Sequence, residues 1–451
     1  MTKTRITAAL LLVAVLAMGY WGLRHSGLYR RLRPSQRADE QLAEGKTDAP
    51  GRWRLARTPA PGGQLTKEQS EQLTRVMALP YLTGSTEAPG VKNVTTYDPN
   101  LAYNGLNLYT SGHAPAAFVA DMNGKVLHTW HYAVDKIWPH KVAKTPVHGK
   151  FWRRAYWYPN GDILALFSNI GVLKLNKDSQ IVWAYECGCH HQAFVAEDGR
   201  IYVLTREAQR VPRINKTHPI LVDKVVILSP SGRMLEEFPL LECFENSRFK
   251  PLLKDMQRMG DIFHTNSIVV SDGTRFEALP SFRKGNVLIS IWGFDTVAVV
   301  SLHLQEVLWA LSGRQNGMWK RQHDAKMLPN GNMLLFDNLG RNGKSKVIEF
   351  NPLTQKIAWQ YPADDQGEFF TKSCGICDRL PNGNTLMTES DNGRAIEVTP
   401  DGKTVWEFHN PFRAGKNNEL IATLFEMVRV EKDFFPWLKV DQGKAGGVAH
   451  D

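Results

Sequence analysis

Two stretches of the chain, HDAKMLPNGN at 323–332 and GICDRLPNGN at 375–384, are copies of one phrase and decide the fold. In each copy a short polar start leads into an apolar strand, a Pro-Asn-Gly turn and a second apolar strand. A later strand then ends in Trp and an aromatic residue, in IAWQYP at 357–362 and in TVWEFH at 404–409. The period within these segments is two residues rather than the helical period of about 3.6, so they indicate β-strands.

The same phrase can be followed backwards through the chain. Full or partial copies cover 106–132, 155–186, 191–240 and 264–312. The place of the strand-ending Trp is filled in the six copies by Trp130, Trp183, Glu236, Trp309, Trp359 and Trp406. The copies lie roughly 50 residues apart, as in propeller repeats, and an insertion near 246–262 explains the one longer interval. Six units of about four short strands predict an all-β fold, a six-bladed β-propeller.

The predicted propeller occupies 81–440 and uses both ends of that range. Its first copy lacks an inner strand, which the apolar segment 419–435 is expected to supply, closing the ring. Residues 34–80 predict a linker with one short helix that begins at the capping-box residue Thr66. The last residues, 441–451, predict a disordered tail.

The N-terminal segment 1–33 carries an apolar run at 6–23, with Lys3 and Arg5 before it and Arg24 after it. This run has about the minimum length that crosses a bilayer. We expect one uncleaved transmembrane helix that anchors the protein in the membrane, with a cleaved export signal as the alternative. The arginines after the run would by themselves hold the rest of the chain in the cytoplasm.

The charge of the chain points to small anions rather than to nucleic acid. Its 451 residues carry a net charge of +10 and a pI near 9.2. Basic side chains are scattered through the predicted blades, and the sequence contains no recognised nucleic-acid-binding module. We expect no nucleic-acid partner and an anionic small substrate. The oligomeric state is left open.

Four of the five cysteines lie in two clusters, CGCHH at 187–191 and CGIC at 374–377. A Cys-x-x-Cys pair is compatible with a disulfide, a redox pair or half of a zinc site. The clusters begin blades three and six, on opposite sides of the predicted ring, which disfavours one shared zinc ion. We expect no metal and no cofactor, and whether Cys374 and Cys377 form a disulfide stays open.

The innermost strand of each propeller blade lines the central channel. Aligned on the glycine of the turn, His191, His264 and His323 stand within one residue of the same position in three consecutive blades. Arg153 and Gly375 occupy this position in the second and sixth copies. One such histidine would be explained by a structural hydrogen bond to the next blade. Three in register predict a catalytic or ligand-binding site at the channel mouth.

Two arginines, Arg341 and Arg394, follow Asn-Gly-type turns at the end of the second strand of blades five and six. Each is compatible with capping turn carbonyls or with binding an anion. The guanidinium group offers a planar fork to tetrahedral oxyanions, and imidazole can act as nucleophile, base or acid. This set suits sulfuryl or phosphoryl transfer. The sequence lacks a nucleotide-binding glycine loop, so a simple aryl or alkyl donor is expected.

The chain resembles the bacterial arylsulfotransferase family of six-bladed propellers, from about residue 80 to about residue 410. The resemblance is carried by GLNLYTSGHAPAAFVADMNGKVLHTW (105–130), FHTNSI (263–268), QHDAKMLPNGNMLLFDNLGR (322–341) and RLPNGNTLMTESDNGRAIEVTPDGKTVWEF (379–408). It implies sulfuryl transfer from one phenol to another through a sulfohistidine, without a nucleotide donor. It also implies export to the periplasm, against the orientation that the arginines suggest.

By this resemblance, His323 and Arg341 match the paired His and Arg of the family, and His264 or His191 matches its further channel histidine. Catalytic roles are therefore expected for His323, His264 and Arg341, and substrate binding for His191, Arg394 and Arg153.

The last blade departs from the family pattern. The family's sulfated histidine belongs to that blade, but this sequence has no histidine from Asp324 to Phe408. The blade offers instead Gly375, Cys377 and Arg394. Either His323 or His264 is then the nucleophile, or the fold has lost or changed the reaction.

The sequence thus predicts a membrane-anchored, periplasmic aryl-sulfate sulfotransferase that acts on a small aryl sulfate and a phenol. A non-catalytic propeller that binds an anionic ligand or a partner protein is the alternative, favoured by the missing last-blade histidine. A quinone-dependent dehydrogenase is weaker, because the blade Trp residues belong to outer strands, where they are expected to pack neighbouring blades together.

Overall fold

Six antiparallel β-sheets, each built on four strands, succeed one another along the chain. The computed structural model describes residues 53–55, 91–144, 148–275, 277–364, 369–415 and 418–439. The inner strands of neighbouring sheets contact each other from the second sheet to the sixth and from the sixth to the first, and the inner strand of the second sheet contacts Leu106–Ser111 of the first. The predicted all-β, six-bladed propeller is therefore confirmed.

The first three blades run from the channel outwards as follows. Blade 1 consists, from the innermost strand outwards, of Leu424–Val430, Leu106–Ser111, Ala116–Ala120 and Val126–His131. Blade 2 consists of Arg154–Trp157, Ile163–Phe167, Gly171–Leu175 and Ile181–Glu186. Blade 3 consists of Cys189–Val195, Ile201–Gln209, Ile220–Leu228 and Met234–Pro239.

The other three blades have the same order. Blade 4 consists of Thr265–Val270, Val287–Ile291, Thr296–Ser301 and Glu306–Ser312. Blade 5 consists of His323–Met327, Met333–Arg341, Lys344–Phe350 and Ile357–Tyr361. Blade 6 consists of Ile376–Arg379, Thr385–Glu389, Arg394–Val398 and Thr404–His409.

Short elements complete the described part. Gly260–Asp261 extends blade 3 and Asn93–Tyr97 extends blade 6. A separate small sheet contains Trp53–Leu55, Leu420–Ala422 and Arg413–Ala414. The α-helices are Pro139–Lys144, Leu240–Glu245 and Gly313–Asn316. The 3-10 helices are Val134–Lys136, His148–Lys150, Lys250–Asp255 and Ser390–Asn392.

The ring is closed by strands from distant parts of the chain. The innermost strand of blade 1, Leu424–Val430, pairs antiparallel with Leu106–Ser111. The prediction that 419–435 supplies the strand missing from the first copy is therefore confirmed. In blade 6 the early strand Asn93–Tyr97 pairs with Thr404–His409. Both pairings join the beginning of the propeller to its end.

The hydrophobic core is divided among the six interfaces between blades. The strand Ile163–Phe167 illustrates the arrangement, because all five of its residues are buried. Its alternate residues Ile163, Ala165 and Phe167 pack with blade 1. Leu164 and Leu166 face the opposite way and pack with blade 3. Since both faces of a blade are covered, its inner strands are continuous apolar runs in the sequence.

The repeated Trp fastens one blade to the next. The indole nitrogens of Trp130 and Trp406 donate to the main-chain carbonyls of Gly161 and Met122, each over 2.9 Å. Trp183 and Trp359 make the same bond, to Pro230 at 3.0 Å and to Pro400 at 2.8 Å. In all four cases the acceptor lies in a turn of the following blade. The predicted packing role of these residues is confirmed, and it removes the support for a dehydrogenase.

Several sequence predictions concern residues outside the described part. The transmembrane helix in 1–33, the linker helix from Thr66 and the tail 441–451 all lie there. Within the described ranges, no helix is both long enough and apolar enough to cross a membrane. The one described piece of the predicted linker is a strand, Trp53–Leu55, which pairs with Leu420–Ala422.

Candidate active site

Three histidines meet at the channel mouth, where the innermost strands of blades 3, 4 and 5 begin. The ring centroids of His191 and His264 lie 4.6 Å apart, and those of His191 and His323 lie 6.3 Å apart. His323 is buried, whereas His191 and His264 are half-buried. The three imidazoles therefore converge on one pocket, as their register in the sequence predicts.

The backbone at the start of these strands turns the side chains inward. φ is 57° at His191 and 53° at His264, in the left-handed region that residues other than glycine seldom occupy. The strand register also shifts beside each of the three histidines. Bulges of this kind re-aim side chains, and such conformations are concentrated at functional sites.

Arg153 brings a positive charge from blade 2 into the same pocket. Its side chain is buried, and its Nη2 donates to the sulfur of Cys374 over 3.3 Å. Burial first, and then the charges of His264 and Arg153, lower the pKa of both His191 and His323. Among the arginines that the sequence singles out, Arg153 is the one that the structure brings to the histidines.

The tautomer of His323 is defined by Asn338. The amide nitrogen of Asn338 donates to the carbonyls of Thr371 and Cys374, over 2.9 and 2.8 Å. Its oxygen therefore faces Nδ1 of His323, 2.7 Å away, and Nδ1 must carry the hydrogen. Burial lowers the pKa of His323 to about 3, although the bond to Asn338 opposes that shift. The ring is neutral at neutral pH, with its lone pair on Nε2.

His264 is held in a different way, by a carboxylate. Its Nδ1 lies 2.7 Å from Oδ2 of Asp261, and its main-chain N–H donates to Oδ1 of Asp261 over 3.1 Å. Arg206 donates to the same Oδ2 over 2.5 Å. With 29% of its side chain exposed, His264 is accessible from the channel mouth.

A second polar layer lies behind His191. Nδ1 of His191 and Nδ1 of His190 are 2.9 Å apart, so one ring donates to the other. Burial is the main cause that lowers the pKa of both rings, which are therefore neutral. Nε2 of His190 lies 3.8 Å from Oδ1 of the buried Asp223, whose pKa is raised by burial and by Asp261.

An ion network crosses the channel one step further along the inner strands. Arg154 of blade 2 reaches Glu426 of blade 1 at 3.1 Å and Asp324 of blade 5 at 3.4 Å. Lys326 pairs with Asp324 at 3.1 Å and with Asp378 of blade 6 at 2.5 Å. Charged side chains of four blades are thus joined by ion pairs between the inner strands.

An aromatic surface flanks His264 at the mouth. The ring centroid of Trp292, which is half-buried, lies 5.1 Å from that of His264. The guanidinium carbon of Arg321 stands 3.8 Å from the centre of the Trp292 ring. Arg321 also donates to the main-chain carbonyl of Trp292 over 2.9 Å, which holds the stack in place. A planar ligand ring has a fixed aromatic side chain to pack on here.

Arg341 and Arg394 both contact groups of the protein itself. The guanidinium group of Arg341 donates to the main-chain carbonyls of Ser345, Asp364 and Phe369 at 3.1, 2.8 and 3.4 Å. Arg394 pairs with Glu389 and Glu407, each at 2.6 Å. Arg341 therefore caps main-chain carbonyls, which is one of the two roles that the sequence leaves open for it. Arg394 is neutralised by two carboxylates within blade 6.

Blade 6 brings a thiol and a glycine to the mouth in place of a histidine. φ at Cys374 is 60°, close to the values at His191 and His264. A Cβ atom added to Gly375 would lie 2.7 Å from the ring of Phe336. A histidine at that position would therefore displace Phe336, which is fully buried.

The five cysteines are free thiols, so the CGIC pair is not a disulfide here. Cys187 is half-buried and the other four are buried. Within the described ranges, no group of three or more His, Cys, Asp or Glu is arranged to hold a metal ion.

Sequence reasoning missed the polar residues that hold the histidines in place. Asp261 belongs to the insertion near 246–262, whose only signal is the long interval between two copies. Asn338 stands three residues before Arg341, inside a stretch that carries the family resemblance. His190 is the neighbour of His191 in the cluster CGCHH. Each becomes recognisable only when its partner's position in space is known.

Comparison with known families bears directly on this pocket. The sequence model of a family described as arylsulfotransferase (ASST) matches residues 158–411, more than half of the chain. The chain belongs to the arylsulfotransferase family. The matched range includes His191, His264 and His323, whereas Arg153 lies just before it. Membership supports sulfotransferase chemistry at the level of the family.

Solved structures that resemble this arylsulfotransferase-family chain include distant ones. A search of curated proteins gave no match. A protein of unknown function from Bacteroides caccae is 12% identical with a TM-score of 0.47, covering 72% of this chain and 98% of its own. A virginiamycin B lyase from Staphylococcus aureus is 9% identical with a TM-score of 0.41, covering 74% and 99%. Likenesses at this level do not bear on the chemistry of the pocket.

Proposed function

We propose that this protein transfers a sulfuryl group from an aryl sulfate to a phenol, with His323 as the nucleophile. The observation that carries the proposal is the meeting of three imidazoles and the buried Arg153 in one pocket. Sulfuryl transfer needs a nucleophile, a group that moves a proton and a cation for the sulfate oxygens. Membership of the arylsulfotransferase family supports the same reaction class.

His323 is suited to attack because its ring is neutral and its Nδ1 is engaged with Asn338. In the first step Nε2 attacks the sulfur of the aryl sulfate. The N–S bond forms, the bond between sulfur and the aryl oxygen breaks, and the aryl oxygen leaves with the bonding electron pair. The sulfated ring then carries a positive charge, which the Nδ1–H bond to the Asn338 oxygen stabilises.

His264 handles the proton in both steps. Its protonated ring donates to the aryl oxygen as that oxygen departs. In the second step the neutral ring takes the proton from the acceptor phenol, whose oxygen attacks sulfur and releases Nε2 of His323. The protein returns to its starting state, and the sulfuryl group has moved from one phenol to the other.

Arg153 and Trp292 bind the substrate and take no part in proton transfer. The guanidinium group faces a pocket where the negative charge shared by the three sulfate oxygens would otherwise be desolvated without a counter-charge. Trp292, 5.1 Å from His264, offers a surface for the aryl ring of donor or acceptor. Attachment to a membrane through 1–33 and a periplasmic location remain part of this proposal.

The test uses the full chain with 4-nitrophenyl sulfate as donor and phenol as acceptor. We expect release of nitrophenol and formation of phenyl sulfate, and a loss of at least about 10³-fold in His323→Ala. His303→Ala, an exposed histidine away from the pocket, is the matched control and should keep full activity. Undiminished transfer by His323→Ala would overturn the assignment of the nucleophile.

The alternative is a propeller that binds an anion without reacting with it. The observation in its favour is blade 6, which presents Cys374 and Gly375 at the mouth instead of the family's histidine. In that case isothermal titration would detect binding of 4-nitrophenyl sulfate that requires Arg153, with no nitrophenol release for any acceptor.

A further inference from the structure

Asp261 is a carboxylate in the pocket, and it has no role in the reaction described above. It lies in the short strand Gly260–Asp261, which pairs parallel with Ile220–Leu228 of blade 3. This strand belongs to the insertion near 246–262, the one departure from the spacing of the repeat. The insertion thus adds to the mouth a carboxylate for which the repeated phrase has no equivalent.

The contacts of Asp261 fix the ring of His264. The carboxylate accepts from the ring Nδ1 at 2.7 Å and from the main-chain N–H of His264 at 3.1 Å. Arg206 donates to Asp261 over 2.5 Å and to Asn169 over 3.2 Å, so the carboxylate is itself held in place. The hydrogen of the neutral His264 ring is therefore on Nδ1, and Nε2 is the atom that exchanges protons with substrate.

Asp261 is negatively charged when it makes these contacts. Burial raises its pKa, but the bond to His264 and the positive charge of Arg206 prevail and hold the pKa well below its usual range. The groups that face this pair are Arg206, His190, His191, His323 and Asp223. A carboxylate on Nδ1–H stabilises the positive charge that the ring acquires when Nε2 takes a proton.

Among the residues that the structure describes, no carboxylate is hydrogen-bonded to either of the other two imidazoles of the pocket. His323 is bound to the neutral amide of Asn338, and His191 is bound to the neutral ring of His190. Burial lowers the pKa of both, so neither holds a proton at neutral pH. The pocket therefore contains two imidazoles that stay neutral, His191 and His323, and one whose carboxylate partner supports a positive charge, His264.

We infer that Asp261 is the positioning residue that makes His264 the proton donor to the departing aryl oxygen, and that this pair adapts the protein to aryl sulfates of weakly acidic phenols. The inference rests on the proposed function. A nitrophenolate is a stable anion, so the rate of its departure depends little on protonation. A phenol whose pKa is near that of tyrosine, about 10, leaves far faster when it is protonated in the same step. The proton moves from Nε2 of His264 to the aryl oxygen, and Asp261 keeps its charge throughout.

The test compares 4-nitrophenyl sulfate with phenyl sulfate as donors for the wild type and Asp261→Asn. The asparagine keeps the size of the side chain and one oxygen that can accept a hydrogen bond, but it removes the negative charge. We expect kcat/KM for phenyl sulfate to fall about 100-fold in the variant, and kcat/KM for 4-nitrophenyl sulfate, which reports only the first step, to fall less than about threefold. An equal fall for both donors, or no fall for either, would overturn the inference.

Asp272→Asn is the matched control. Asp272 also has an arginine partner, Arg275 at 3.2 Å, but it stands in the turn at the other end of the inner strand of blade 4. Its loss should leave the ratio of the two donor rates unchanged. If the wild type releases no nitrophenol at all, the proposed function fails, which is a different result from a changed ratio.

A spectroscopic measurement tests the positioning without any turnover. Imidazole ¹⁵N spectra of the wild type should contain a ring protonated on Nδ1 that disappears in His264→Gln. A wild-type His264 ring protonated on Nε2 would contradict the inference.

Discussion

Blades 4 and 6 begin their inner strands with nearly the same backbone and different chemistry. φ is 53° at His264 and 60° at Cys374, so both side chains leave a left-handed residue at the mouth. In blade 4 the imidazole is supported by Asp261, whereas in blade 6 the space next to Gly375 is taken by Phe336. The repeat determines the shape of the mouth, and single residues decide whether a blade contributes a reactive group or a packed wall.

The largest expected effect concerns the wall in blade 6. Gly375→Ala places a Cβ 2.7 Å from the Phe336 ring at a residue whose φ is 96°. We expect urea unfolding to reveal a loss of about 3 kcal/mol, the sum of backbone strain and overpacking. Gly285 has a similar φ of 84°, but its added Cβ would meet no atom of a described, non-adjacent residue within 4 Å, so Gly285→Ala should lose only about 1 kcal/mol. Equal losses in the two variants would mean that Phe336 does not close the position.

The next prediction distinguishes Arg153, which lies beside the histidines, from Arg341, which caps carbonyls. Arg153→Gln should lower kcat/KM for 4-nitrophenyl sulfate by about 100-fold, because the sulfate oxygens lose their cation. Arg341→Gln should lower the midpoint of thermal unfolding, because its guanidinium group holds the carbonyls of Ser345, Asp364 and Phe369. The reverse pattern, with activity dependent on Arg341 alone, would restore the role that the family resemblance implies for it.

The buried histidine on this side of the mouth should also make the stability of the fold depend on pH. The pKa of His323 is about 3 in the folded protein, and a histidine in an unfolded chain has a pKa of about 6.5. Below pH ~6.5 the unfolded chain therefore binds more protons, so the stability present above that pH is lost as the pH falls towards 3. Between pH 7 and pH 5 this histidine alone should cost about 2 kcal/mol.

Urea unfolding of His323→Gln at the two pH values measures that contribution. The variant should lose about 2 kcal/mol less than the wild type on going from pH 7 to pH 5. The exposed His303 provides the control, since His303→Gln should follow the wild type. The same loss in His323→Gln and the wild type would mean that His323 is not buried as a neutral ring.

The smallest expected effect is at the thiol of blade 6. Cys374→Ser keeps a small polar group near Arg153, and transfer should stay within about threefold of the wild type, since the thiol takes no part in the reaction. The assay is the same nitrophenol release, with and without a thiol-blocking reagent. Abolished transfer in this variant would make blade 6, and not blade 5, the source of the nucleophile.

The fold could be predicted from the sequence because the strand pattern of one blade is repeated along the chain. The doubled phrase, the Trp positions and a period of about two residues, instead of the helical period of about 3.6, identify six blades of β-strands. The strand missing from the first copy also points to its replacement near the C-terminus. The same register brings His191, His264 and His323 to one rim. These features depend on repetition, which a single sequence displays.

The supporting groups of the site could not be found in that way. Asp261 comes from an insertion that has no counterpart in the other copies, and Asn338 acts through an amide orientation fixed by two carbonyls. Arg341 shares a stretch of sequence with His323, but its guanidinium group points to main-chain carbonyls. Contacts of this kind depend on distances between side chains, which spacing along the chain does not determine.

The central claim is that His323 receives the sulfuryl group, and peptide mass spectrometry tests it most directly. The chain is incubated with 4-nitrophenyl sulfate without an acceptor, kept alkaline to preserve a sulfated imidazole, digested and fragmented. A gain of about 80 Da, the mass of a sulfuryl group, is expected on His323 and should be absent from His323→Ala. The same gain on Cys374 or on another histidine, with His323 unlabelled while nitrophenol is released, would contradict the account.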